Sequence, residues 1–377
     1  MHIKSLLIGS AAALVAVTGA RAADAVMAPE PEPVEYVRVC DAYGAGFFYI
    51  PGTETCLRIS GYIWYQMGAG SYEDGDAPSY HYGTSTQDGW RKSIRARVNF
   101  DARSETEWGT LKSYIRFQAN WNGVGDGAVA ADQAYLELGG FIAGYTESFW
   151  LDSKNGGPSN WGSHSWTGMY YGYQEHALIG YRYQSNGFFG AISLEDDALD
   201  GEGYVPDVVA KVGYAGGWGA VWAKVGFDES YNALGDSGFG VSLGAQINVP
   251  NMPGSSLRVH GYYVDSDSQY GSSSMFATPT SYGQAEWTIL ASYNQQFSET
   301  LGASVAFEYF SDFYVPNSDV STGIDGWAAE LSVIWFPVPQ FEVRGEVGYT
   351  DADGLLTDPT VDPEGSVSGF LRFTRYF

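Results

Sequence analysis

A chain of 377 residues with 17% charged side chains, 16% aromatics and 49 glycines is poorer in charge than a soluble domain, where about a quarter of residues carry it. Its formal charge of −25 excludes nucleic acid as a partner, because phosphate backbones are gripped by basic surfaces. Beyond the N-terminus no run of about 18 apolar residues could cross a bilayer as a helix, so any span must be made of strands.

Residues 1–23 read as a cleaved signal peptide. Lys4 supplies the basic start, residues 6–17 the apolar core, and Ala20-Arg21-Ala22 the small-residue cut site. Export follows, and removal of Lys4 and Arg21 with no acid takes the formal charge from −25 to −27. Residues 24–56 are expected to form a periplasmic arm. Pro29-Glu30-Pro31-Glu32-Pro33 suits neither helix nor ladder. Cys40 and Cys56, the only cysteines, are placed to pair in an oxidising compartment. Such a bridge is worth about 3 kcal/mol by loop-closure entropy. Neither a metal nor a cofactor is expected.

From residue 57 to 377 apolar and polar residues alternate with period two. In the first segment Leu57, Ile59, Ile63 and Tyr65 share one face, with Arg58, Ser60, Tyr62 and Gln66 on the other. The second sets Ile94, Ala96, Val98 and Phe100 against Arg91, Arg95, Arg97, Asn99 and Asp101. The third opposes Ile115 and Phe117 to Lys112, Arg116, Gln118 and Asn120. Arg58, Arg91, Arg95, Arg97, Lys112 and Arg116 are therefore expected to line a basic wall. Further segments follow near 132–138, 141–147, 176–184, 188–195, 206–214, 218–228, 237–247, 257–264, 285–295, 300–310, 326–336, 341–350 and 366–377, sixteen in all.

Tight links such as Gly139-Gly140 and Ser185-Asn186-Gly187 take turns with stretches of eight to twenty-seven residues. That rhythm predicts an all-β fold, a 16-stranded antiparallel transmembrane β-barrel with short periplasmic turns, long extracellular loops and both termini in the periplasm. Aromatics near strand ends on the apolar face, among them Tyr65, Tyr214, Trp287, Trp327 and Trp335, fit the girdles that meet lipid headgroups.

The third long connection, residues 148–174, holds Trp150, Trp161, Trp166, Tyr170, Tyr171 and Tyr173. Aromatics at this density are costly to leave in water. Folded into the lumen as a constriction loop they would be buried, and Glu147, Asp152 and Glu175 would face the basic wall. The competing reading is an outward loop against a neighbouring subunit or lipopolysaccharide. A water-filled passage for small hydrophilic solutes and ions is the expectation. Its rival is a sugar-type selective channel whose track uses Tyr62, Trp64, Tyr114, Phe310 and the loop tryptophans. No strong ion preference is expected, because the acids concentrate in loops while the first strands are basic inside.

An enzyme is not expected. Of the mature histidines, His81 and His164 fall in loops, His176 opens a strand and His260 faces the lumen beside Arg258. None sits in a Gly-x-Ser-x-Gly or His-Glu-x-x-His setting. Acid groups such as Glu195-Asp196-Asp197 and Asp265-Ser266-Asp267 read as solvated loop charge, with divalent bridging to lipopolysaccharide as the alternative.

The stretch YVRVCDAYGAGFFYIPGTETCLRISGYIWY over residues 36–65, the segment YVPDVVAKVGYAGGWGAV over 204–221 and the ending FLRFTRYF resemble the general porins of alphaproteobacteria, the rhizobial and brucella-type outer-membrane family. That resemblance implies a homotrimer, passive diffusion through an eyelet made by the third loop, a location among outer-membrane lipid, and a terminal Phe377 read by the barrel-assembly machinery. The third loop departs from the pattern, being rich in Trp, Ser and Gly where relatives carry more acids.

Overall fold

The computed structural model describes residues 38–70, 90–123, 125–151, 169–196, 204–272, 282–352 and 366–377. The expected signal peptide and Pro-Glu stretch lie outside these residues. A single 3-10 turn at Asp41–Tyr43 precedes the strands β1 (Phe48–Tyr49), β2 (Cys56–Gly70), β3 (Arg91–Thr106), β4 (Gly109–Trp121), β5 (Val129–Leu138), β6 (Phe141–Glu147), β7 (Glu175–Ser185), β8 (Phe188–Asp196) and β9 (Asp207–Gly216). They continue as β10 (Gly219–Asp228), β11 (Gly238–Asn248), β12 (Ser256–Val264), β13 (Ala285–Gln296), β14 (Leu301–Phe313), β15 (Gly326–Val338), β16 (Phe341–Ala352) and β17 (Ser366–Tyr376).

From β2 onward each strand pairs antiparallel with the next, and β17 pairs back onto β2 with Leu371 opposite Met67 and Tyr376 opposite Tyr62. Two backbone bonds between Phe377 and Gly61, at 3.0 and 3.1 Å, extend the seam to the last residue. The result is a closed barrel of sixteen strands, β2 to β17. Closure leaves no unpaired edge, which a strand needs before it can enter a bilayer.

Sidedness is inverted relative to a soluble protein. On β8 the outward Phe188, Ile192 and Leu194 are 60%, 53% and 44% exposed, while the inward Ser193 and Glu195 are 1% exposed. A row of bare Ile, Leu, Val and Phe on every side is stable only where the solvent is acyl chain. Aromatic rings meet edge-on or tilted across neighbouring strands on this outer face, as in Phe188–Tyr214 at 4.8 Å, Tyr263–Trp287 at 4.6 Å and Trp327–Tyr349 at 4.9 Å.

Connections of two residues, at 107–108, 139–140, 186–187, 217–218 and 339–340, mark one rim. The Asn186-Gly187 pair has φ values of 51° and 84°, the left-handed conformations that a two-residue hairpin needs to match strand twist. The chain enters β2 and leaves β17 at this same rim, and the long connections belong to the other.

Two local departures from simple alternation matter. Between β4 and β5 the register shifts at Arg116/Phe117, so that Gln133 faces Arg116 and Ala131 faces Phe117. Asp132 is the extra residue of a β-bulge, and the bulge turns both Asp132 and Gln133 inward. It also explains why β5 begins at Val129 and not near 132: the bulge breaks the period-two signal. At the short-turn rim Cys40 and Cys56 form a disulfide. The short loop it closes folds over the inner face of β2 and β3, with the buried Phe47 beneath the guanidinium groups of Arg58 (4.9 Å) and Arg103 (5.2 Å).

Candidate functional site

The apolar core lies inside the barrel, between the wall and the two described limbs of the third long connection, hereafter loop 3. On the outgoing limb the Phe149 N–H donates to Glu195 Oε1 (2.9 Å) and the Phe149 ring lies under Arg182 (4.5 Å). Gly180 makes room for that ring, since a β-carbon there would stand 2.8 Å from it. Trp150 is fully buried, its indole N–H donating to the Gly271 carbonyl (2.9 Å) and its own carbonyl accepting from Lys224 Nζ (2.5 Å). On the return limb the Tyr170 ring meets Phe310 at 5.5 Å, and Leu151, Met169 and Tyr171 join the same cluster on β13 to β15. Burial beside Glu147 and Glu175 pushes the Tyr171 hydroxyl well above its ordinary range, and the half-exposed Tyr173 donates to Glu175 Oε1 (2.8 Å). Asp152, Trp161 and Trp166 lie outside the described residues.

On the inner face of β3 and β4 stand further cations. Arg95 Nε donates to Asn120 Oδ1 (2.7 Å) and Arg97 to Gln118 Oε1 (3.0 Å from Nε), each amide being the residue opposite in register. Arg372 with Gln66 (2.7 Å) and Arg258 with Gln246 (2.8 Å) repeat the arrangement on other strand pairs. An amide oxygen fixes a guanidinium flat against the wall without cancelling its charge. Trp64 and Tyr62 supply ring faces under Arg95 (5.4 Å) and Arg97 (5.2 Å).

Arg116 is held differently. Its Nη1 lies 3.1 Å from Asp132 and 3.8 Å from both Glu147 and Glu175, with Gln133 bridging to Glu175 at 2.8 Å. These acids share the wall with Arg116, on β5, β6 and β7, so their charge is taken up locally and does not stand across the passage from it. The remaining basic residues are spread along the barrel axis. Lys112 pairs with Glu137 (3.5 Å), Arg58 with Asp101 (3.4 Å) near the disulfide loop, and Arg91 with the Asn122 carbonyl (3.4 Å) at the far end of β3. Only Arg95, Arg97 and Arg116 cluster at mid-height.

Three contributors are missing from the expected site residues. Asp132 bonds Arg97 (3.3 Å) and Arg116 because of the bulge. Glu195, which in sequence looks like solvated loop charge, is on the inward phase of β8 and clamps loop 3; that phase was the available signal. Asp267 likewise is not solvated: its carboxylate accepts the Gln284 N–H (2.6 Å) and the Asn317 N–H (2.7 Å), and burial raises its pKa against those bonds. Among the candidate aromatic track residues, Phe310 is covered by Tyr170, and Trp64 lies beneath Arg95 and Arg372 (4.9 Å). Rings so covered offer no bare slide to a sugar.

A closed sixteen-strand barrel, greasy outside and polar within, with both described limbs of the loop between its fifth and sixth strands packed on the inner wall, defines the class of outer-membrane porins. The family model described as the Porin subfamily matches residues 24–368. The chain belongs to this family of alphaproteobacterial porins. It is 35% identical over 417 residues to Porin Omp2b of Brucella suis biovar 1 (strain 1330), with 100% of each chain covered. Its fold is similar to that of the outer membrane channel DcaP of Acinetobacter baumannii, with a TM-score of 0.67 at 16% identity, covering 87% of this chain and 99% of that one. It is also similar to the trimer form of the in-vitro folded outer membrane protein OmpT of Vibrio cholerae, with a TM-score of 0.57 at 13% identity over 86% and 100% of the two chains.

Proposed function

We propose that this porin passes small hydrophilic solutes and ions by passive diffusion through an eyelet bounded by loop 3 on one side and by Arg95, Arg97 and Arg116 on the other. The observation that carries this reading is the burial of both described limbs of loop 3, Phe149 to Leu151 and Met169 to Tyr171, against the inner wall. Asp132 tempers both Arg97 and Arg116, Glu147 and Glu175 temper Arg116 further, and the amide-held Arg95 keeps its field, so the net preference between cations and anions is weak. The channel does no chemistry on its solutes. In support, His260 is wedged between Trp222 (5.1 Å) and Tyr262 (5.9 Å), a packing role and not that of a base.

Our reading includes a homotrimer in outer-membrane lipid and lipopolysaccharide, supported by the trimer form of the similarly folded OmpT. Phe377, seated at the β17–β2 seam, is the signal for the assembly machinery. Liposome swelling with a graded series of neutral sugars tests the transport reading. Uptake should fall smoothly with solute size; saturation by one sugar and not its stereoisomers would instead mark a selective channel.

A further inference from the structure

The connection between β12 and β13, residues 265–284 and hereafter loop 6, has its described first part, residues 265–272, folded inward. Gly226 of β10 and Gly240 of β11 face one another in register and leave a bare notch in the inner wall. Tyr270 of loop 6 fills it: a β-carbon at either glycine would overlap Tyr270. The ring is fully buried and its hydroxyl donates to Asp207 Oδ2 (2.7 Å), while Gln269 donates to Asp207 (2.6 Å) through its side chain and to Asp228 (3.0 Å) through its backbone. Asp267 ties the base of the same loop to residues 284 and 317.

Loop 3 rests on this wedge. The Trp150 ring stands 5.6 Å from the Tyr270 ring, and its indole N–H ends on the Gly271 carbonyl. Gly172, on the return limb of loop 3 with φ of +84°, closes the junction, since a β-carbon there would lie 2.5 Å from the Gly271 carbonyl and 2.9 Å from Trp150 Nε1. The order from the wall inward is thus glycine notch, Tyr270, Trp150.

We propose that loop 6 is a specificity-determining element of the pore: Tyr270, seated in the Gly226/Gly240 notch, is the spacer that holds loop 3 off the wall and so sets the width of the passage. This rests on the porin reading above. Tyr270 is uncharged in its role, so its removal widens the passage without altering the fixed charge that solutes meet. Asp207 and Gln269 position the wedge and do not themselves line the narrowing.

Single-channel conductance of the full-length protein in planar bilayers, with folding checked by heat-modifiable mobility, tests the idea. Tyr270→Phe, which keeps the ring, should conduct as the parent does. Tyr270→Ala should conduct roughly 1.5-fold more, because about 3.5 Å of ring thickness is returned to the lumen, with an unchanged reversal potential in a salt gradient. Should Tyr270→Ala not fold, Tyr270→Leu reads the same question with part of the notch filled and should show a smaller increase. A folded alanine or leucine variant with parental conductance overturns the spacer, as does a conductance gain in the phenylalanine variant equal to that in alanine. A parent protein that forms no channel would contradict the porin reading itself.

Discussion

Asp132 serves two guanidinium groups, Arg97 at 3.3 Å and Arg116 at 3.1 Å, and so decides how much positive charge this stretch of the inner wall presents. A unit charge about 9 Å from an ion's path in water is worth about 0.5 kcal/mol, of opposite sign for cation and anion, roughly a two-fold change in each permeability and so about a four- to five-fold change in their ratio. Asp132→Asn should therefore move the reversal potential toward anions by about that factor, and neutralising Arg95, Arg97 and Arg116 together should move it toward cations by more. An unmoved potential in the triple variant would take these residues out of the conducting path. A second residue-scale prediction concerns Asp325, on the connection before β15. The Tyr309 hydroxyl donated to it (2.7 Å) and the Asp312 N–H (2.9 Å) hold its carboxyl below the ordinary range. A lowered folded pKa means stabilisation that is complete above about pH 4 and fades as acidification carries the pH down through the lowered value. Thermal melts should find Asp325→Asn less stable than the parent at neutral pH, with the gap closing in strong acid; a gap independent of pH would contradict this.

At the scale of elements, the strands were legible and the inward loops only partly so. A residue in a barrel strand faces either lipid or water, so each segment carries a strong period-two signal, and the sixteen expected segments correspond to β2 through β17. The exception is the start of β5, where the Asp132 bulge breaks the period and hides three residues of strand and a luminal carboxylate. Loop 3 announced itself by its aromatics, which demand burial. Loop 6 did not, because Asp265-Ser266-Asp267 and Gln269 have the composition of a solvated turn, and their bonds to β9, β10 and neighbouring loops depend on distant parts of the chain. The clamp on loop 3 is open to test: Glu195→Ala leaves the buried Phe149 N–H without its acceptor, a cost of about 1–3 kcal/mol. The expected readout is frequent brief fluctuation of the open-channel current, and a quiet trace would show that Lys224 and the aromatic cluster suffice.

For the whole molecule, stability and function have one origin in the inverted sidedness of the wall. Closure satisfies the backbone, the outer rows of Ile, Leu, Val and Phe partition into lipid, and the inner rows hold the described limbs of the inward loops. The disulfide between Cys40 and Cys56 trims only the entry of the chain, so its removal should lower stability by about 3 kcal/mol in urea titrations while the outer rows still insert. The most direct measurement of the central claim compares Asn99→Cys with Val98→Cys, neighbours on β3 that point to opposite faces. In bilayers a charged, membrane-impermeant thiol reagent should modify the cysteine at 99 and step the conductance down, and leave the cysteine at 98 untouched. Modification at 98 with protection at 99 would mean that the greasy face meets water, and the channel described here would not exist.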